Sequence, residues 1–358
     1  MIRIERRPRP SRLFLWLGPP LAVAAATLCG LAIFALLVPE PLAALRAFFL
    51  TPLSSLYGLG ELGVKAAPLV LIATGLSLGF RAGVWNIGAE GQLVLGAIAA
   101  GLVALATWGR EGAWIFPACL VAGAAAGALW AAIPAFLRVR LGVSEILVSL
   151  MLVYVAELLL AALVYGPLKD PEGFGFPHSR LFTEAALAPT ILPGTRLHPG
   201  AVAALLAVLA AWVFAARTLP GYALLVSGLA PRAARHAGFP EGAAVWGTLL
   251  AGGALAGLAG AFEVTGPIGQ LVPDVSPGYG FTAIIVAFLG RLHPLGVLLA
   301  GLLVALSYIG GEQAQIEAGL PQAVTGVFQG LLLFWLLAVD VFVHYRPKVV
   351  GPRLRRAA

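Results

Sequence analysis

Charge and sulfur are both scarce in this chain. Its 358 residues include 16 Asp and Glu, 23 Lys and Arg, five His, two Cys and two Met. Charged residues make up 11% and hydrophobic residues 60%, against about 25% charged in a soluble domain. The length alone would allow two soluble domains; this composition excludes them and leaves one membrane domain with no sizeable soluble appendage. Cys29 and Cys119 sit among apolar residues without CxxC spacing, which excludes a disulfide framework or a thiolate metal site. They read as small core hydrophobes. His178, His198, His293 and His344 lack ligand spacing, so no metal centre is expected. No glycine is followed by lysine, so there is no GxxxxGK[ST] phosphate loop and the chain is not its own ATPase. HExxH and any clustered His/Asp set are also missing, which argues against a membrane-embedded enzyme. The net charge of +7 comes without a basic helix interleaved with aromatics, the signature of nucleic acid binding.

The basic residues instead flank long apolar runs. Runs of membrane-spanning character cover 13–38, 62–80, 88–107, 113–137, 144–165, 200–216, 243–264 and 321–343. A span needs about 20 apolar residues. The first run is about twice the 7–15-residue core of a signal peptide, so it reads as an uncleaved span. Two shorter pieces, 280–290 and 294–310, are separated by Arg291-Leu292-His293-Pro294. The former covers only about 16 Å as a helix and crosses only if neighbouring residues extend it. Ten crossings with both termini cytoplasmic put 17 of the 23 basic residues inside, in accord with the positive-inside rule. If 280–310 is a re-entrant pair entered from outside, the crossings number eight and Arg291 lies deep in the membrane. The expected fold is an all-α polytopic membrane protein of about ten (alternatively eight) helices, some broken or re-entrant. It has a basic cytoplasmic N-terminus (1–12), a transmembrane domain (13–343) and a basic tail (344–358), with an external loop at 166–199 and a cytoplasmic loop at 217–242.

Polar groups interrupt this grease in a few places. Residues 80–96 read FRAGVWNIGAEGQLVLG, placing Asn86, Glu90 and Gln92 where hydrocarbon is expected. Unpartnered, each would cost several kcal/mol, so such groups face a protein interior or a water-filled path. Spacing of four puts Asn86 and Glu90 on one helix face, with Gln92 elsewhere on the circumference. They either line a path or hold the helix entrance in shape near Gly83 and Gly88. In the 144–165 span, Tyr154 and Glu157 share a face with Leu150 and Ala161. Glu157 is too deep to be a solvated end charge, so it is protonated, paired or facing water. Tyr154 either stacks on a base or sugar ring or simply packs. Ser144 reads as a helix cap, with Glu145 on the N-terminal dipole. Glu263, Gln270 and Asp274 suit an external vestibule; Gln313, Gln315 and Gln322 suit a vestibule or a wet loop. Glycines at spacing four (Gly123/Gly127, Gly253/Gly257, Gly326/Gly330) suit close helix packing. In the 217–242 loop, Pro231 opens a short helix carrying Arg232, Arg235 and His236 that Gly238 ends. It is too small to fold alone, and it is either a docking element or a solvated basic loop.

Four separated motifs carry a family resemblance: FRAGVWNIGAEGQLVLGA (80–97), VSEILVSLMLVYVAE (143–157), GYALLVSGLAPRAARHAGF (221–239) and GYGFTAIIVAFLGRLHPLGVLLAG (278–301). They resemble permease subunits of bacterial ABC importers, in the subgroup for nucleosides and simple sugars that is related to the branched-chain amino acid permeases. The resemblance implies separate ATPase subunits that hold ATP and Mg, a second homologous permease and an external solute-binding lipoprotein. It implies a multi-pass protein of the bacterial cytoplasmic (inner) membrane. It also implies that Pro231, Arg232, Arg235, His236 and Gly238 couple to the ATPase while Asn86, Glu90, Gln92, Tyr154 and Glu157 border the solute pathway. The solute expected first is a nucleoside and second a simple sugar; an ion-coupled secondary transporter is the remaining transport alternative.

Overall fold

The computed structural model describes residues 2–7, 11–321 and 323–349. Arg9, Gln322, Arg353, Arg355 and Arg356, which enter the expectations above, lie outside the described residues. In chain order the elements are β1 (Ile2–Arg6), α1 (Arg12–Leu37), α2 (Pro41–Phe49), α3 (Leu56–Arg81), α4 (Ala89–Ala106) and α5 (Ile115–Leu141). There follow α6 (Glu145–Tyr165), α7 (Gly200–Arg217), α8 (Leu219–Leu229), α9 (Pro231–His236) and α10 (Glu241–Glu263). The chain ends in α11 (Tyr279–Leu289), α12 (Pro294–Ala318), α13 (Ala323–His344) and β2 (Tyr345–Val349). Among the described residues nine helices are long and apolar enough to cross a membrane, and all nine fall on the expected spans.

The chain forms two compact units. One joins its two ends, up to Thr51 and from Gly310. Phe34, Phe48, Phe328 and Leu332 are its buried centre, with the Phe48 and Phe328 rings 5.0 Å apart. Here β1 pairs antiparallel with β2, Ile2 opposite Val349 and Arg6 opposite Tyr345. Among the described residues this small ribbon is the only β-structure, and the alternation in Ile2-Arg3-Ile4-Glu5 is a period-two strand pattern.

The other unit is Pro52–Ile309. After α10 a π-helical turn, Val264–Ile268, ends at Gly269 with φ +74°. Irregular chain then runs through 269–278 to α11. The outer end of this stretch is tied to the 166–199 loop: Ser179 N donates to Leu271 O at 2.9 Å and Phe182 N to Gly269 O at 2.9 Å. At its other end Phe288 stacks with Phe80 (5.3 Å) and Trp85 (6.0 Å), beside the α3–α4 turn. The α11–α12 turn holds Arg291 and Leu292 at φ of +53° and +56°.

Backbone contact at glycine holds α4, α5 and α10 together. A Cβ at Gly96 would stand 2.2 Å from the Gly257 carbonyl oxygen, and one at Gly127 would stand 2.2 Å from that of Gly253. One at Gly260 would stand 2.0 Å from the Leu93 oxygen. Such approach lets dispersion hold helices that have no hydrophobic drive to associate in lipid. Gly123/Gly127 and Gly253/Gly257 therefore meet each other as expected. Gly326 and Gly330 do not serve this way, since nothing stands within 4 Å of a Cβ at either.

Candidate functional site

The polar break near residue 86 is built by a turn and not by a helix face. Gly83 takes φ +73°, the chain leaves α3 at Arg81, and α4 starts only at Ala89. Asn86 therefore does not share a helix with Glu90. It folds back on Gln92, donating through Nδ2 to Gln92 Oε1 at 2.8 Å. Gln92 Nε2 returns a bond to Asn86 Oδ1 at 3.1 Å, which also accepts Gly88 N at 3.1 Å. Two amides that read as separate path groups are one closed pair, 4% and 1% exposed. The turn leans on α6: Glu145 accepts Trp85 N at 3.2 Å and pairs with Arg138. Ser149 Oγ accepts Ile87 N at 3.3 Å. Ser144 occupies the N-cap of α6 but its hydroxyl makes no capping bond; Glu145 joins neighbouring elements instead.

Glu90 faces the start of α11. Its carboxylate accepts Gly280 N at 2.5 Å. On α6 the buried stripe is Glu145, Ser149, Val153, Ala156, Leu160 and Val164. Tyr154 lies on the opposite side, 56% exposed, and Glu157 is exposed beside it. Glu157 is within electrostatic reach of Glu90. A carboxylate on the outward face of so apolar a helix needs water or another protein against it.

At the outer end the structure assembles charges far apart in sequence. Arg196 clasps Glu61 through Nε (2.9 Å) and Nη2 (2.5 Å), and Glu263 is buried within reach of Lys65 and Arg196. Glu263 thus sits buried near this cluster and not in an open vestibule; the 135 residues between Glu61 and Arg196 gave no sequence signal for their pairing. His198 is buried beside this cluster, its ring 5.7 Å from Phe262 and its Nδ1 accepting Gly200 N at 3.1 Å. Burial pushes its pKa down from 6.5 to about 4, with the Glu61 charge opposing. The folded protein keeps this ring neutral while the unfolded chain protonates it below 6.5. Its contribution to stability is therefore complete above pH 6.5 and is lost progressively as pH falls towards 4, by up to about 3 kcal/mol. Thermal denaturation of detergent-solubilised protein across that range is expected to show the decline, and His198→Gln to flatten it.

On the inner side, α9 forms as its punctuation predicts. Pro231 opens it, and Phe239 N bonds Ala234 O while Gly238 N bonds Arg235 O. With Gly238 at φ +80° this is a Schellman ending. Ala234 is buried; Arg232, Arg235 and His236 are exposed. A cleft beside the helix is lined by Ala82, Val84, Arg138, Arg235, Phe239 and Glu241. α8 touches the break directly: a Cβ at Gly228 would stand 2.0 Å from the Arg81 carbonyl oxygen.

No group of three or more His, Cys, Asp or Glu suited to a metal occurs among the described residues. Gly75-Leu76-Ser77-Leu78-Gly79 does spell G-x-S-x-G. Ser77, however, is fully buried within α3 and donates to Thr74 O at 2.8 Å, without the exposed strand-to-helix elbow that chemistry needs.

Comparison with known proteins bears on the same residues. The family described as branched-chain amino acid transport system, permease component, matches residues 58–337. The glucose ABC transporter permease protein TsgB13 of Haloferax volcanii is 37% identical over 98% of this chain and 96% of its own length. The guanosine ABC transporter permease protein NupP of Bacillus subtilis is 33% identical over 78% of this chain and 81% of its own. The probable riboflavin import permease protein RfuC of Treponema pallidum is 29% identical over 75% and 72%. No solved structure matches the chain.

Proposed function

The chain belongs to the family of branched-chain amino acid transport system permease components, among its nucleoside and sugar ABC permeases, and from that premise we infer that it imports a nucleoside. It does so beside a second, homologous permease subunit in the cytoplasmic membrane of a bacterium. ATPase subunits that hold ATP and Mg dock at α9, and an external lipoprotein delivers the solute. ATP binding draws the docked α9 helices together and rocks the bundles between outward- and inward-open states, as broken-helix transporters do around a central site.

The observation that carries this reading is the outward face of α6. Tyr154 and Glu157 stand there on an otherwise apolar helix, where lipid would leave the carboxylate unsolvated. A water-filled path shared with a second permease solvates it, and an aromatic ring there suits a nucleobase. Asn86, Glu90 and Gln92 support the path from behind the wall. A second reading, a simple sugar, is favoured by the 37% identity to a glucose permease over nearly the full length.

The test is uptake by the complex in proteoliposomes, with its ATPase and delivery protein, of labelled nucleosides against labelled glucose. ATP-dependent nucleoside accumulation supports the proposal, and accumulation of glucose alone replaces the solute. Accumulation driven by a proton gradient without the ATPase overturns the mechanism. In the same assay Glu157→Leu is expected to cut uptake about tenfold, roughly 1.4 kcal/mol of barrier, without reducing assembly of the complex. Normal uptake by that variant would remove α6 from the path.

A further inference from the structure

We propose that Glu90 is a built-in anion: a positioning residue that fills the site formed where the N-termini of α4 and α11 converge. The two helix starts meet in direct backbone contact, a Cβ at Gly280 standing 2.2 Å from Glu90 N and 2.6 Å from Glu90 Cα. Each helix N-terminus carries roughly half a positive charge on unsatisfied N–H groups. Two such ends facing each other inside a membrane repel, and together they make a place for an anion. The chain fills that place itself. Glu90 lies in the first turn of α4 and accepts Gly280 N across the junction at 2.5 Å. Ser276 caps the start of α11 beside it: its Oγ accepts Gly278 N (3.2 Å) and Tyr279 N (3.0 Å).

The carboxylate is 3% exposed, so it does not touch solute; it sets the relation between two broken helices. Those helices are α11 and the one that carries the Asn86–Gln92 pair. The inference rests on the importer reading for its transport consequence.

The experiment removes the built-in anion and offers a small one back. Purified complex carrying Glu90→Ala is titrated with formate, with neutral formamide as the matched control, while its thermal midpoint is followed. A saturable rise with formate only, absent in the unsubstituted complex, is expected; no rise, or an equal rise with formamide, overturns the proposal. This arm involves no transport, so its failure is distinct from failure of the importer reading. In uptake assays Glu90→Ala is expected to lower the maximal rate about tenfold with the half-saturating solute concentration unchanged, and formate to restore part of the rate. Glu90→Gln keeps an acceptor for Gly280 N but lacks the charge. If the alanine variant does not fold, Glu90→Gln decides: a folded complex with reduced maximal rate supports the built-in anion, and an unchanged rate overturns it.

Discussion

Gly257→Leu is expected to prevent the protein from assembling, whereas Gly326→Leu is expected to leave the thermal midpoint of the isolated chain nearly unchanged. Both are glycine-to-leucine changes within a four-residue small-residue spacing in an apolar helix. A Cβ at Gly257 would stand 2.2 Å from the Gly123 carbonyl oxygen and 2.9 Å from Gly127 Cα. These are backbone atoms, which cannot rotate away. The new side chain must push α10 off α5, and with it off α4, which meets Gly257 through Gly96. Ordinary overpacking costs about 1–3 kcal/mol. Here the clash is with backbone in the seam of three helices, so the loss is expected to exceed that range and to consume much of a marginal stability. Size-exclusion profiles of the detergent-extracted variants measure it. A monodisperse Gly257→Leu peak at normal yield would show that the seam is dispensable.

Arg232→Glu with Arg235→Glu is expected to abolish ATP-driven uptake while membrane insertion and folding are retained. Both side chains are exposed on α9, and the buried residue that seats the helix, Ala234, is untouched. Folding therefore has little to lose. A short helix presenting two cations and His236 offers its partner charge, and reversing a desolvated interfacial charge costs about 2–5 kcal/mol of binding, roughly 30-fold or more in affinity. The readouts are co-purification of the ATPase and the ratio of ATP hydrolysed to solute accumulated. Unchanged coupled uptake would remove α9 from the mechanism. The position of α8 gives this loop its reach, since Gly228 packs on the Arg81 carbonyl at the entrance to the polar break.

Much of this architecture was legible in the order of residues. Long apolar runs have one stable solution in lipid, a helix that satisfies its own backbone, so the nine long apolar helices followed from hydropathy. The α9 helix was legible for the same local reason: Pro231 and Gly238 act on their own backbone dihedrals, and no distant residue is needed to stop or start it. Gly123/Gly127 and Gly253/Gly257 announced close contact, although the sequence did not distinguish them from Gly326/Gly330, which meet nothing. That difference depends on which helix lies opposite.

The polar groups were decided otherwise. Sequence spacing joined Asn86 to Glu90, but the left-handed Gly83 delayed α4 to Ala89 and turned the Asn86 amide onto Gln92. Glu263 read as a vestibule group until folding carried Arg196 and Lys65 to it, and Glu90 found its partner at Gly280, 190 residues away. Composition, hydropathy and local dihedral preference by themselves determined a multi-pass helical membrane protein with a short, exposed basic helix between two spans. Only the tertiary structure decided which polar side chains close on one another and which face outward, because a buried hydrogen bond is specified by whichever partner the fold brings within about 3 Å, and that partner is rarely a neighbour in sequence.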